Sequence, residues 1–339
     1  MNMRQFRYFV QIVESGSLAK ASRQLFIAQP ALSQQMARLE EEVGKQLLIR
    51  SSRGVAPTEN GSALYHHAKF MLRQLDQAVS IARQDTAALS GRVTLGLAPT
   101  TNSQLGLPLI RHLRAKLPSV MVNVVEGLSG HLEHMARVGQ LDLAVLFSPK
   151  AASELTVEPL LEEDLFVILP ASSALVPPGL STLTLKDVAA LPLILPSSGH
   201  GLRRRIAIEF DRANVVIDAV AEIDSLPLLM HCLADGMGVT VKPMAAIHAL
   251  DNPEFWRAIP IADARLSRIN YLYALPPPKL SACAAVVRDE LRLVAYTLVK
   301  SGQWQGVRLF PRSSSADPAI ESEVGEDDDG PGALGLVAL

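Results

Sequence analysis

Only two cysteines occur in the 339-residue chain, Cys232 and Cys283, both in apolar helical patterns without CxxC spacing. That leaves no disulfide framework and no zinc ligand set, and points to two buried, reduced thiols. No apolar run approaches the roughly 20 residues of a membrane-spanning helix. The first residues form an amphipathic helix, with Phe6, Phe9, Val10 and Val13 on one face, rather than a signal-peptide core, so a cytoplasmic protein is expected. The G-x-S-x-G, G-x-G-x-x-G, Walker and H-E-x-x-H signatures are all missing, which removes the usual hydrolase, dinucleotide, nucleotide-triphosphate and zinc-protease readings. His131 and His134 share a helix face, but no carboxylate or cysteine cluster joins them, and they read as solvated. No catalytic residue, metal or cofactor is expected.

Hydrophobic residues make up 48% and charged residues 19%, so most of the chain is globular. Its length suggests two or three domains with real cores. The net charge of −2 is unevenly spread. Residues 1–90 hold 11 Lys/Arg against 7 Asp/Glu, whereas residues 313–339 hold 7 acidic residues and no Lys or Arg. The basic charge therefore sits at the N-terminal end, where an electrostatic footprint for nucleic acid would be needed.

Ser17 to Glu41 reads as two short amphipathic helices with a tight turn between them. Leu18, Ala21 and Leu25 fall on one face of the first, and Leu32, Met36 and Leu39 on one face of the second. At 100° per residue the opposite face of the second helix carries Pro30, Gln34, Ala37 and Arg38, flanked by Ser33. Outward Gln, Ser and Arg suit hydrogen bonding to base edges in a major groove. Pro30 in the first turn costs no hydrogen bond, and Gln29 before it leaves the positive helix end open to phosphate. This pattern implies a DNA-binding helix-turn-helix.

The apolar run Leu47 to Ile49, followed by Arg50 to Val55, predicts a β-hairpin wing. Arg50 and Arg53 flank two serines beside Gly54, an arrangement suited to phosphates or to a narrow minor groove. Thr58 then caps a helix expected to reach about Leu89. Its Leu64, Ala68, Met71, Leu75, Ala78 and Ala82 keep heptad spacing, which predicts a dimerising seam; packing on its own domain is the plainer alternative.

Beyond Gly91 the pattern alternates strand and helix. Strands are predicted at 92–97, 120–125, 141–147, 165–169, 193–195, 216–223, 239–242 and 269–275, with helices between them and a last helix at 282–299. Two tandem α/β units result, and the last strand and helix can return to the first, which describes two lobes around a cleft. From Ser301 the periodicity fades, and the acid-rich end predicts a disordered tail.

Taken in order, FVQIVESGS at Phe9 to Ser17, AQPALSQQMARL at Ala28 to Leu39, Leu47 to Arg50 with Arg53-Gly54-Val55, and TENG at Thr58 to Gly61 resemble the LysR-type transcriptional regulators. The resemblance covers about residues 1 to 300. Asn60 stands where the family usually has a small residue, and Leu48-Ile49 is slighter than the usual pair. IAQPALSQQ at Ile27, LSGRVTLGLAP at Leu89, EDLF at Glu163, EIDSL at Glu222 and GMGV at Gly236 look most like the nitrogen-assimilation control branch.

The resemblance implies an α plus α/β protein. A winged helix-turn-helix would occupy residues 1–58, and a linker helix for dimerisation residues 59–90. A two-lobed effector domain of periplasmic-binding-protein type would follow, with lobe I at 91–163 and 268–300 and lobe II at 164–267; the composition, not the resemblance, adds a disordered acidic tail at 301–339. The resemblance places Gln29, Pro30, Ser33, Gln34 and Arg38 at the major groove and Arg53 at the minor groove. It further implies a homodimer or homotetramer on promoter DNA that answers a small ligand, with RNA polymerase as a further expected partner.

Ligands of open α/β sheets bind beyond the carboxyl ends of strands, near helix N-termini. In this family that cleft lies at turns which here carry Thr100, Thr101, Ser129, Ser197, Ser198 and Ser225. These six are the effector candidates, and hydroxyls with helix ends suit a small anion. Helix capping alone would also explain such hydroxyls. Of Arg203, Arg204 and Arg205, at most one can face the cleft, because consecutive helical residues diverge. A cytoplasmic α/β enzyme, or a solute-binding domain fused to a DNA-binding module, is the rival reading.

Overall fold

The computed structural model describes residues 1–51, 54–82, 89–149, 155–249, 252–277 and 279–310. Three helices open the chain: α1 (Met3–Ser15), α2 (Leu18–Leu25) and α3 (Gln29–Val43). Asn2 and Gln5 cap α1 reciprocally, each side chain accepting from the other's backbone N–H. Ser17 Oγ accepts from Lys20 N at the start of α2. Phe9, Ile12, Ala21, Leu32 and Leu39 are fully buried in one core. Each such side chain larger than alanine contributes about 1.5–3 kcal/mol on burial, which holds together helices too short to persist alone.

The strands β1 (Leu48–Ser51) and β2 (Gly54–Pro57) pair antiparallel, with Arg50 opposite Val55. Gly54 has a φ of +131°, and a Cβ there would strike the carbonyl of Gly16. The glycine thus lets the wing press on the α1–α2 turn, where Val55 N donates to Gly16 O over 2.8 Å.

The helix α4 (Glu59–Ala82) starts where Thr58 Oγ1 accepts from Gly61 N at 2.9 Å. Here the expected dimer seam is corrected in part. Ala68 is fully buried, and Leu64 and Met71 pack beside it, in the same core as Phe9 and Leu32. Those three residues hold α4 to its own domain, because α1 offers them the nearest apolar face. Leu75 is half-buried and Ala78 exposed. Nothing is described of the side chain of Ala82, and the expected continuation to Leu89 passes through residues 83–88, outside the described residues.

The C-terminal part contains β3 (Gly91–Leu97), α5 (Pro99–Lys116), β4 (Val120–Glu126), α6 (Ser129–Arg137), β5 (Leu143–Leu146), β6 (Thr156–Pro170), α7 (Leu185–Ala189), β7 (Leu193–Leu195) and α8 (Gly201–Arg212). It continues with β8 (Ala219–Glu222), α9 (Leu226–Ala234), β9 (Thr240–Pro243), β10 (Trp256–Pro260), β11 (Ser267–Ala274), α10 (Ala282–Lys300) and β12 (Val307–Leu309). In the first lobe β3 runs parallel between β4 and β5, and β11 adds antiparallel to β5. Helices α5 and α10 cover this sheet through Leu105, Leu109, Leu113, Val287 and Leu291.

The strand β6 belongs to both lobes. The first part of β6 pairs with β11, and the part from Leu165 onward pairs with β9 and β10. Its first half is not visible in the periodicity, since Glu158, Glu162, Glu163 and Asp164 break the apolar run there, and the short strands β10 and β12 are not expected from the sequence either.

The tail boundary is also corrected. Residues 301–310 are folded: Trp304 is 1% exposed in the first-lobe core, and β12 pairs antiparallel with β6, Val307 opposite Glu163. The expected acidic tail proper, 311–339, lies outside the described residues.

Candidate functional site

At the N-terminal end, Gln29, Pro30, Gln34, Ala37 and Arg38 are all exposed on α3, on the face away from Leu32, Met36 and Leu39. No side chain caps α3, whose N-cap position is Ala28, so its first N–H groups remain available. Ser33 is half-buried, and its Oγ accepts from Arg50 Nη1 at 2.8 Å. The wing and the exposed helix face thus form one surface. Arg53 lies outside the described residues. Phe26 ends α2 in the left-handed region, with a φ of 55° and 95% exposure, directly before α3.

Between the lobes, a cavity of about 20 Å³ opens at the carboxyl ends of the parallel strands. Thr100 of α5, Ser129 of α6 and Phe147 after β5 reach it from the first lobe. His200 before α8, Asp224 before α9 and Lys242 of β9 reach it from the second, and Arg268 of β11 closes it. Helices α5 and α6 begin at its wall with Ala98 and Leu128 as N-caps, and neither has a side-chain cap. Two positive helix ends therefore face the cavity.

The basic groups are held differently. Arg268 is 7% exposed; its Nε donates to Glu163 Oε2 at 2.8 Å, its Nη2 to Thr100 Oγ1 at 2.7 Å, and its guanidinium lies 3.9 Å from the Phe147 ring centre. Glu163 also accepts from Asn270 Nδ2 and from Trp304 Nε1, so a fully buried carboxylate is satisfied on every side.

Lys242, 6% exposed, has no hydrogen bond or ion pair among the described residues. Burial, and then the neighbouring Arg268, push its pKa down to about 7, against the opposing pull of Asp224. Ser129 Oγ is likewise buried without a hydrogen-bond partner. Asp224 is held below the usual carboxylate range, chiefly by the backbone N–H of Ser197 and also by its hydroxyl. His200 accepts from Leu202 N through Nδ1, and burial lowers its pKa to about 4, leaving a neutral ring.

Of the six hydroxyls expected at the cleft, Thr100 and Ser129 line the cavity, and the other four do not. Thr101 is fully buried and donates to Asn270 Oδ1 at 3.2 Å. Ser197 is taken up by Asp224. Ser198 is exposed, and Ser225 caps α9 by accepting from Leu228 N. Nearer polar partners claim Thr101, Ser197 and Ser225, and Ser198 stands exposed.

None of Arg203, Arg204 and Arg205 reaches the cavity; Arg205 pairs with Glu209 instead. The cations that do reach it, Lys242 and Arg268, were missed by sequence reasoning. The available signal was a single charge in each of two otherwise uncharged strands, TVKP and SRINYLYA. A buried lone charge in a strand marks a site more sharply than a hydroxyl at a turn.

A winged helix-turn-helix joined through a helix to two α/β lobes around a cleft defines a ligand-responsive DNA-binding regulator. Residues 3–62 match the family model described as "Bacterial regulatory helix-turn-helix protein, lysR family", and residues 86–295 match "LysR substrate binding domain". The chain belongs to the LysR family: it is a DNA-binding transcriptional regulator with an effector-binding domain, and not an enzyme.

It is 41% identical to the nitrogen assimilation regulatory protein nac of Klebsiella aerogenes over 251 residues, 74% of this chain and 81% of that protein. The protein of the same name from Escherichia coli K12 is 39% identical over 307 residues, 90% of this chain and 99% of that one. A full-length OxyR from Pseudomonas aeruginosa, solved as a cysteine-to-aspartate variant, shares the fold, with a TM-score of 0.69 and 23% identity over 86% of this chain and 95% of that one.

Proposed function

We propose that the chain acts in the cytoplasm as a homodimer or homotetramer on promoter DNA, and that its effector is a small anion bound in the inter-lobe cavity. Gln29, Pro30, Ser33, Gln34 and Arg38 would read the major groove, with Arg50 and Arg53 on the backbone or in the minor groove. RNA polymerase is the further partner such a promoter-bound regulator would meet. Leu75 and Ala78, which the N-terminal core leaves uncovered, remain for pairing α4 with a second copy.

One observation carries the anion. Among the described residues a buried amine, Lys242, and a buried hydroxyl, Ser129, lack partners at a cavity that two uncapped helix ends also face. Thermal melts of the full chain across a panel of small carboxylates and inorganic anions test it. At least one anion should raise the melting temperature and alter the DNase footprint on a bound promoter. A panel that does neither overturns the anionic effector.

A further inference from the structure

Lys242 and Ser129 stand on opposite lobes, one on β9 and the other in the first turn of α6. Both residues line one cavity of about 20 Å³; among the described residues Lys242 has no hydrogen bond or ion pair, and Ser129 Oγ is buried without a partner. The water-accessible space there is small, which favours a compact occupant.

The charges around it are nearly balanced. Arg268 is neutralised by Glu163, and His200 is uncharged. Asp224 is an ionised carboxylate on the same wall as the Lys242 ammonium. What remains positive is the pair of helix N-termini, each equivalent to about half a charge. Together they offset one negative charge, and a dianion would leave a second one buried beside Asp224.

We infer that the cavity takes a compact, singly charged anion of halide or formate size, which bridges Lys242 Nζ of one lobe and Ser129 Oγ of the other. This rests on the reading of the cavity as the effector site. The anion supplies the acceptor that both orphan donors lack, and so ties the lobes together at the point where the protein leaves them untied.

A proton follows the anion. Of the groups facing Lys242, Asp224 from the β8–α9 loop stays ionised and His200 from the α8 N-terminus stays neutral near pH 7. Arg268 from β11 is paired with Glu163 of β6. Lys242, with its pKa lowered to about 7, is the group that changes charge there. Because the bound anion favours the ammonium, affinity falls as pH rises, by about tenfold between pH 6 and pH 8.

Isothermal titration of the full chain with formate, chloride, sulfate and succinate at pH 6, 7 and 8 tests this, on the wild type and on Lys242→Met and Ser129→Ala. Formate or chloride should bind the wild type more tightly than sulfate or succinate. That binding should weaken about tenfold from pH 6 to pH 8, be lost in Lys242→Met and fall in Ser129→Ala. If sulfate or succinate binds more tightly, still through Lys242, the compact monoanion is overturned while the anionic effector stands. Binding that is indifferent to Lys242→Met and Ser129→Ala overturns the bridge. If no anion binds the wild type, both readings fall together.

Discussion

Arg50 of the wing donates through Nη1 to the Ser33 hydroxyl of α3 over 2.8 Å, and so joins two segments seventeen residues apart into one surface. The bond orients a guanidinium at the edge of the exposed face of α3. It also uses the Ser33 hydroxyl as an acceptor while leaving its proton available to a base edge or a phosphate.

For the DNA surface, Gln34→Ala should weaken specific binding by about 1–3 kcal/mol, with little change on competitor DNA, if Gln34 reads a base. Arg50→Ala should weaken binding to specific and competitor DNA alike and reduce the salt slope by about one. Gel shifts at several salt concentrations separate the two, with circular dichroism checking for an intact fold. A Gln34→Ala protein of unchanged specificity would remove it from the reading set.

Along α4, the two ends should respond differently. Leu75→Asp should shift the sedimenting species toward monomer while leaving the N-terminal core intact. Ala68→Asp should unfold that core, since a charge would be forced in beside Phe9 and Leu32. Sedimentation velocity with thermal melts distinguishes the outcomes, and a Leu75→Asp protein sedimenting like wild type would count against the α4 seam.

The buried ion pair gives a stability prediction. Glu163→Gln leaves Arg268 charged and without its counter-ion, and the loss should be about 3–5 kcal/mol in chemical denaturation. Trp304 donates to Glu163 Oε1, so the tryptophan emission should shift as well. A variant as stable as wild type would mean that Arg268 finds another partner at no cost.

Lys242 should make the unliganded protein less stable at neutral pH. Its folded pKa of about 7 lies below the ordinary lysine value of 10.5, so between these pH values the unfolded chain holds a proton that the folded chain lacks. The contribution of this group to stability therefore rises with pH through that window. In anion-free buffer Lys242→Met should be more stable than wild type at pH 7, by on the order of a few kcal/mol in chemical denaturation, and the gap should close toward pH 10. A gap that does not change with pH would show that the side chain is not a buried ammonium.

Much of this molecule is legible one segment at a time. The stripe Leu32, Met36 and Leu39 defines which way α3 faces, and a period of 3.6 leaves Gln34 and Arg38 no alternative but the outside. The alternation of strand and helix from Gly91 onward, read with the turn residues, yields most of the α/β elements within a few residues. What local pattern misses is the middle of β6, because its acidic residues look like a surface loop until Arg268, Asn270, Ser267 and Arg308 are brought against them. Trp304 reads as part of a fading tail for a similar reason. Its burial depends on a carboxylate 141 residues away.

The amino-acid sequence alone determined the helix-turn-helix with its outward residues and the presence of two α/β lobes, since those follow from short-range periodicity and turn chemistry; its motifs, by resemblance, pointed to the class of protein. Only the tertiary structure decided which polar groups are left over. Whether Ser197 meets Asp224, whether Arg268 is neutralised by Glu163, and whether Lys242 and Ser129 remain without partners depends on contacts between distant strands and helix ends. The charge and size of the cavity are a remainder after all such pairings, and no local pattern in the chain contains that remainder.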